Sequence, residues 1–343
     1  MDLFKPNVNK MQKKKNVRGL IKALSYKDEQ VRHKAAYALG SLGDARAASA
    51  LLAALPDKST FGSVAYALAK LKEPRLFDLL LPALNDDTLC SEAADALGIL
   101  GDLRAVEPLI GLLKRQDTET RQSAVVALSN LHDPHSAGAL REALNDADGH
   151  VRATAIDGLC ELPDRLDKET LVRLLHDPDI VVRGKAAWNL DVKQIGIPED
   201  PMEQAWYAAG RQNWDMAVKL GLIATEPLLL ATQTEDMEER VGAAIALAKL
   251  GDRRAVEPLI STLTSPYYST EVCKKVHIQA FEALGKYGDL RAVKPLQQYA
   301  QSSVTEPSER SVAWRALSAL ESRLPGFTPI RLCAPPAARA SQL

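Results

Sequence analysis

The chain has 343 residues and a formal net charge of −1, and it is 46% apolar but only 5% aromatic. This balanced charge gives no overall field that would attract nucleic acid, and no run of about 18 apolar residues predicts a membrane span. The basic start lacks the apolar segment of a secretory signal, so we expect a cytoplasmic protein. The cysteines lie far apart without a CxxC pair, which predicts reduced thiols and no metal site. They are Cys90, Cys160, Cys273 and Cys333.

One sequence motif recurs along the chain at a period of about 31 residues. It reads GDLRAVEPLI from Gly101, GDRRAVEPLI from Gly251 and GDLRAVKPL from Gly288, with weaker copies before and between them. A repeat of this length indicates one helical hairpin stacked many times, in which each copy contacts only its neighbours. We therefore predict an all-α fold, an α-solenoid of about nine hairpin repeats over residues 16–324, with one inserted helical hairpin.

The first residues and the first repeat set the pattern for the rest. Residues 1–15 form a basic lead-in, interpreted as a solvated arm or the outer face of a capping helix rather than an anion-contacting patch. The first repeat follows, with a helix A and then a helix B. Asp28 is placed to cap helix B, because its carboxylate can accept hydrogen bonds from free N–H groups of the first turn. Gly43 predicts a left-handed end to that helix.

The pattern D-x-x-VR-x-x-AA-x-ALG-x-LGD-x-RAV-x-PLI resembles the HEAT-like repeats first noted in phycobilin (PBS) lyases. The resemblance covers residues 16–324 and implies an armadillo-like helical solenoid. It implies little about function, because families with such repeats include chromophore lyases, the di-iron enzyme deoxyhypusine hydroxylase and many scaffolds.

One segment, residues 191–221, breaks the period and resembles a hairpin inserted between repeats in prokaryotic members of this family. Met202–Arg211 and Trp214–Leu220 are predicted to be two short helices. The aromatic residues of this segment suggest either a recognition surface or, as the favoured interpretation, the core of the hairpin. They are Trp206, Tyr207 and Trp214. Residues 325–343, rich in Pro, Ala and Arg, are predicted to be a disordered tail.

An arginine recurs at one position of helix B, and an acidic residue precedes it by four residues. The pairs are Asp28 and Arg32, Asp117 and Arg121, Asp148 and Arg152, Asp179 and Arg183, Asp236 and Arg240, and Glu306 and Arg310. Because this spacing places both charges on one helix face, it predicts an ion-pair ladder between repeats rather than a basic stripe for phosphates. In other repeats the arginine position is occupied by Phe61, Cys90 and His277. There we expect neighbouring repeats to be held together less by charged contacts.

A second column of helix B is expected to face the concave wall of the solenoid. Its members are Tyr37, Tyr66, Asp95, Val126, Asp157, Trp188, Ile245, Glu282 and Arg315. The aromatic members Tyr37, Tyr66 and Trp188 are not required for packing, and such side chains are typical of binding surfaces. Together with surrounding charges, these aromatic residues predict a wall that binds a protein partner. The charged residues include Lys34, Lys70 and Lys249.

The sequence offers little support for catalysis. Deoxyhypusine hydroxylases hold iron with His-Glu pairs, and this chain has none, so that activity is disfavoured. No GxSxG, Walker or Cys/His constellation is present, and His132 and His135 are interpreted as parts of a solvated turn. The lyase resemblance implies an alternative, in which Asp95 and Asp157 hold the pyrrole nitrogens of a bilin destined for a protein cysteine. We predict a non-catalytic scaffold or adaptor without cofactors; nucleic acid is a less favoured partner, with Lys13, Lys14 and Lys15 as its best foothold.

Overall fold

The computed structural model describes residues 5–163, 166–234, 236–263, 271–301 and 307–323. Within these ranges the regular structure consists of α-helices and short 3₁₀ turns, without a β-strand. The all-α solenoid predicted from the repeats is confirmed. The chain divides into two compact units, residues 1–196 and 197–343. The predicted tail, residues 325–343, and the ladder residue Glu306 lie outside the described residues.

In the first unit, a short helix precedes a series of hairpins in which helices A and B alternate. The helices are α1 (Val8–Lys13), α2 (Val17–Ala23), α3 (Glu29–Leu42), α4 (Ala48–Ala54), α5 (Phe61–Lys70), α6 (Leu76–Leu80), α7 (Cys90–Leu100), α8 (Val106–Leu112), α9 (Thr118–Leu131), α10 (Ala137–Ala143), α11 (Gly149–Glu161), α12 (Lys168–Leu174) and α13 (Ile180–Val192). The odd-numbered helices from α3 to α13 are the B helices, and each packs directly against the next. They therefore form one continuous layer.

The second unit begins with the inserted hairpin and continues with further repeats. Its helices are α14 (Pro201–Gly210), α15 (Trp214–Leu220), α16 (Thr225–Ala231), α17 (Met237–Lys249), α18 (Val256–Leu263), α19 (Glu271–Tyr287), α20 (Val293–Gln301) and α21 (Pro307–Glu321). Helices α14 and α15 agree with the predicted pair to within one residue. Helices α17, α19 and α21 are the B helices of this unit, and they too pack in sequence.

Local chemistry starts and ends the first B helix, α3, as the sequence predicted. Oδ1 of Asp28 accepts hydrogen bonds from the N–H groups of Gln30 and Val31 at 2.9 and 3.4 Å. This capping satisfies donors that the first helical turn leaves without partners. At the other end, Gly43 has a φ of 66° and donates its N–H to carbonyls of the last turn. Glycine adopts this left-handed conformation without steric cost, so the chain reverses here.

The Gly-Asp-x-Arg part of the repeated motif forms the turn that connects one repeat to the next. Asp44 accepts a hydrogen bond from the N–H of Arg46 at 3.0 Å, and its two carboxylate oxygens accept from Nε and Nη2 of the same guanidinium at 2.9 and 2.6 Å. These bonds hold the pKa of Asp44 at about 2. The same arrangement recurs at Asp102 and Arg104, Asp252 and Arg254, and Asp289 and Arg291. The repeated motif therefore has a structural role, which is to connect successive repeats.

Small residues bring the B helices into backbone contact. A Cβ added to Gly40 would lie 2.7 Å from Cα of Ala67, and one added to Gly98 would lie 2.6 Å from Cα of Ala127. Non-bonded carbon atoms normally stay about 3.5 to 4.0 Å apart, so neither position accommodates a side chain without movement of a helix. The high alanine and glycine content of these helices thus sets their spacing.

Recurring arginines of the first unit join neighbouring repeats at Arg32, Arg121 and Arg152, but not through the acids that the sequence predicted. The predicted acid caps its own helix: Asp117 accepts from the N–H of Thr120 at 2.8 Å. Nε and Nη2 of Arg121 instead donate to Asp146 in the next repeat, at 2.8 and 2.9 Å. The i,i+4 pairing was wrong because the capping role already engages that carboxylate. The capping role is shared by Asp28, Asp117, Asp148, Asp179 and Asp236. Arg32, Arg121 and Arg152 pair with an acid of the next repeat, whereas Arg183 and Arg240 donate to main-chain carbonyls of the turn before their own helix.

The corrected contacts connect three successive repeats. Arg152 donates Nε and Nη2 to Asp177 at 2.9 and 2.6 Å, and its Nη1 donates to the main-chain carbonyl of Asp146 at 2.7 Å. Asp146 thus accepts from Arg121 with its carboxylate and from Arg152 with its carbonyl. At the first joint, Nε of Arg32 lies 3.2 Å from the carboxylate of Asp57. An inter-repeat ladder therefore exists at Arg32, Arg121 and Arg152, each of which pairs with an acid 25 residues later.

Where another residue takes the arginine position of helix B, two pairs of neighbouring repeats make other polar contacts. Sγ of Cys90 lies 3.1 Å from Oγ1 of Thr120. Nδ1 of His277 lies 3.1 Å from Oε1 of Glu309, and the hydroxyl of Tyr299 contacts both side chains in the buried core of the second unit. At His277, a buried His–Glu contact thus takes the place of the arginine.

Candidate functional site

The candidate site is the exposed face of the B-helix layer, which we call the helix-B wall. In the first unit the predicted column lies on this face, one residue from each of the helices α3, α5, α7, α9, α11 and α13. Tyr37 and Trp188 are 55% and 48% exposed, and Val126 is also exposed. Tyr66 and Asp157 are half-buried. The column thus reaches solvent along its length.

Tyr37 and Tyr66 form a stacked pair on this wall. Their ring centroids lie 5.2 Å apart and their planes differ by 10°. The ammonium of Lys70 lies 5.6 Å from the Tyr66 centroid, within the range of a cation–π contact. Burial raises the pKa of the Tyr66 hydroxyl, and a hydrogen bond with Tyr37 adds to the shift. With exposed Lys34 one helical turn before Tyr37, the two rings form an aromatic platform with cations beside it.

Acidic side chains occupy the adjoining part of the wall. Asp95 is exposed as a residue, but neighbouring groups displace part of the water around its carboxylate and so raise its pKa, and repulsion by Glu92 and Glu119 adds to the increase. A hydrogen bond from Ser123 acts in the opposite direction. The wall therefore passes from a cationic aromatic region to an acidic one within about two helices, or about 20 Å.

The other two predicted wall residues lie together at the far end of the first unit. The carboxylate of Asp157 accepts from Nζ of Lys185 at 2.6 Å and lies 3.4 Å from Nδ2 of Asn189. Trp188 lies on α13 between these two partners. Asp157 is therefore a paired carboxylate on α11, and the exposed Trp188 lies on the neighbouring helix α13. Helix spacing separates this end of the wall from the Tyr37 and Tyr66 pair by about 30 to 50 Å.

The aromatic residues of the inserted hairpin are partly or fully buried. Tyr207 is buried, and Trp206 and Trp214 are half-buried. Nε1 of Trp214 lies directly over α17, where a Cβ added to Gly242 would come within 2.3 Å of it. The indole therefore occupies space that glycine leaves open and connects the inserted hairpin to the following repeat.

The second unit contains two grooves on its own helix-B wall that the sequence did not single out. One, of about 420 Å³, is lined by Trp214, Ile245 and Lys249 among others. The other, of about 700 Å³, lies between α19 and α21 and is lined by Glu282 and Arg315. Ile245, Glu282 and Arg315 belong to the predicted wall column. Their position in the column indicates from sequence that they face the wall. Residue type does not show how deep a groove between two helices is.

The histidine turn and the metal-ligand candidates give no assembled centre. Nδ1 of His135 lies 2.7 Å from Asp133, the geometry that arginine has in the other joints, and its side chain is exposed. His132 takes the left-handed helix end with a φ of 52°. Within the described ranges, no three His, Cys, Asp or Glu side chains converge so as to hold a metal ion. In that same part of the chain, every helix is too short or too polar to cross a membrane.

Several solved structures resemble this chain at low identity. An engineered protein has a TM-score of 0.39 with 23% identity, over 91% of this chain and 90% of its own. The complex of CpcE and CpcF of phycocyanin lyase from Nostoc has a TM-score of 0.34 with 18% identity, over 89% and 94% of the two chains. Human deoxyhypusine hydroxylase in complex with glycerol has a TM-score of 0.34 with 20% identity, over 92% and 100%. Likenesses at this level carry no argument about function.

The family assignment rests on sequence. A search among curated proteins finds no match. The family model described as HEAT repeats matches residues 9–62, 56–129, 89–159, 107–191 and 225–321. These matches cover most of the chain and both structural units. The chain therefore belongs to the family of HEAT-repeat proteins.

Proposed function

We propose that this protein is a non-catalytic scaffold or adaptor that binds a protein partner along the helix-B wall of its first unit. The observation that carries the proposal is the stacked pair of Tyr37 and Tyr66, which stands on the wall with Tyr37 more than half exposed. Tyr and Trp are enriched at the centres of protein interfaces, where large rigid rings give contact area at little entropic cost. Trp188 supplies a second such anchor at the far end of the wall.

The dimensions of the wall suit a protein better than a small ligand. Six B helices at about 8 to 10 Å per helix give a surface about 40 to 50 Å long. The helices have 10 to 14 residues, so the surface is about 15 to 20 Å wide. The resulting area, about 600 to 1,000 Å², is close to the roughly 800 Å² that each partner contributes to a standard interface. Binding across the wall would engage Tyr37, Tyr66, Asp95, Asp157 and Trp188 together, with Lys34 at its edge.

The test is co-purification of the native protein followed by mass spectrometry. We expect a partner that the wild-type protein retains and the double variant Tyr37→Ala with Tyr66→Ala loses. Leu103→Ala is the matched control, because Leu103 is as exposed as Tyr37 but lies in a turn between repeats. Retention of every partner by the double variant would contradict the proposal, as would equal loss with Leu103→Ala.

Chromophore transfer of the phycobilin-lyase type is the alternative function. Asp95 favours it, since an exposed carboxylate on an aromatic wall can accept hydrogen bonds from pyrrole N–H groups. Asp157, its second expected anchor, is already paired with Lys185. Mixing the protein with an open-chain tetrapyrrole decides the matter: a bilin-dependent absorbance change that Asp95→Asn abolishes would favour the alternative over the scaffold.

A further inference from the structure

We propose that the groove between α19 and α21 binds an acidic, aliphatic peptide segment. This inference rests on the proposed function, because the segment would belong to the protein partner. The groove has a volume of about 700 Å³. Its floor is made where the two helices touch, since a Cβ added to Gly285 would lie 2.8 Å from Cα of Ala316. Val312 and Ala319 line its sides, so the interior is apolar and admits small aliphatic side chains.

The charges around the groove are mainly positive. Lys286, Arg315 and Arg323 line it, against one acid, Glu282. The ammonium of Lys286 lies 4.9 Å from the ring centroid of Tyr287, and Arg323 donates one N–H to the carbonyl of Gly285 at 3.4 Å. These contacts hold the two cations at the rim. A guanidinium carries five N–H donors, so Arg323 retains donors for a ligand carboxylate.

This cationic excess is local. Other arginines of the turns and of the ladder have an acid within ion-pair distance, as Arg46 has Asp44, Arg121 has Asp146 and Arg152 has Asp177. The whole chain has a net charge of −1, so the groove is positive against a nearly neutral background. Charge complementarity therefore points to an anionic ligand, and the apolar floor requires aliphatic groups between its charges.

The length of the groove favours a peptide segment over a compact ligand. Its lining runs from Val312 on α21 to Arg323, two residues past the end of that helix, a distance of about 16 Å at the rise of an α-helix. A strand rises about 3.3 Å per residue, so about five extended residues span this distance. Alternation of acidic and aliphatic residues would place carboxylates at Arg315, Arg323 and Lys286 and aliphatic side chains on the floor.

Fluorescence anisotropy with defined probes tests the proposal. The probe is a fluorescein-labelled peptide of alternating glutamate and leucine, and the comparison peptide has lysine in place of glutamate. We expect the acidic peptide to bind, the basic peptide not to bind, and added salt to weaken the complex. The double variant Lys286→Glu with Arg315→Glu should weaken binding at least about tenfold, because it replaces attraction with repulsion. Arg253→Glu, an exposed cation of the same unit outside the groove, should leave it within about twofold.

A second variant separates groove occupancy from general charge. Ala319→Trp fills the groove without changing charge, and we expect it to block the acidic peptide. The proposal is overturned if the two peptides bind equally, if Arg253→Glu weakens binding as much as the double variant, or if Ala319→Trp has no effect. Binding of decanoate in place of the peptide would also overturn it, since the ligand would then be a small carboxylate. If the acidic peptide does not bind while the double variant Tyr37→Ala with Tyr66→Ala still abolishes partner capture, the groove proposal is contradicted and the scaffold proposal is retained.

Discussion

Arg152 and Asp177 form a two-point ion pair across the joint between two repeats. Nε and Nη2 of the guanidinium meet the two carboxylate oxygens at 2.9 and 2.6 Å, and the side chains are only 11% and 9% exposed. The remaining Nη1 donates to carbonyls of its own repeat, so the guanidinium is bonded on both sides of the joint. The hydrogen bonds that Arg152 donates to the Asp177 carboxylate raise the pKa of Arg152, and the arginine stays charged at any ordinary pH.

This geometry predicts that Arg152→Ala destabilises the first unit by about 3 kcal/mol. Removing one partner of a buried ion pair leaves the other charge without compensation, and here carbonyls of the joint also lose their donors. Urea unfolding followed by circular dichroism measures the change as a lower midpoint.

Arg46→Ala provides the matched control. Its ion pair with Asp44 has a similar distance, 2.6 Å, but the Arg46 side chain is 71% exposed. Solvent screens such a pair, and the unfolding midpoint should stay close to that of the wild-type protein. An equal fall in both variants would show that the ladder has no special part in joining repeats.

The sequence predicts the joints well but assigns the ladder partners incorrectly. Asp28 and Gly43 are predictable because helix capping depends only on local geometry. The partner of Arg121 is 25 residues away, and no local rule specifies it. A signal was present in the D-x-D pairs, where Asp148 caps the helix and Asp146 remains for the arginine of the previous repeat. Only stacking of the repeats reveals that division of roles.

The candidate site shows the same limit. Helical periodicity predicts that Tyr37 and Tyr66 share a column, because each lies at the same position of helix B. Their stacking depends on a spacing between helices that Gly40 and Ala67 set by close contact. The groove beside Arg315 likewise depends on how deeply α19 and α21 separate at their exposed edges. Residue type indicates which positions face the wall, whereas helix spacing determines what they form.

Close packing of the B helices makes Gly98 sensitive to a single methyl group. In Gly98→Ala the new Cβ would lie 2.6 Å from Cα of Ala127 and 2.9 Å from its Cβ, so α7 and α9 must separate. We expect a destabilisation of about 1 to 3 kcal/mol, typical of overpacking, despite the better helix propensity of alanine.

Gly111→Ala is the corresponding control within α8. No atom lies within 4 Å of a Cβ built there, so only helix propensity acts, and the variant should be more stable by up to about 1 kcal/mol. Chemical unfolding of both variants measures the difference. If Gly98→Ala is as stable as Gly111→Ala, then the contact between the B helices does not fix their spacing.

The turn at Asp44 predicts a defined response to pH. Hydrogen bonds from the Arg46 side chain are the largest cause of its low pKa, and the Arg46 N–H is the next. Because the folded pKa, about 2, lies below the ordinary 3.8, the stabilisation is complete above pH 4 and is lost as the pH falls toward 2. Arg46→Ala should raise the pKa of Asp44 toward 3.8, while the pKa of Asp102, whose partner Arg104 is unchanged, should stay low. Carboxyl ¹³C NMR titration of both residues measures the two pKa values in one sample. A low pKa of Asp44 in the variant would assign the shift to the backbone turn instead of the guanidinium.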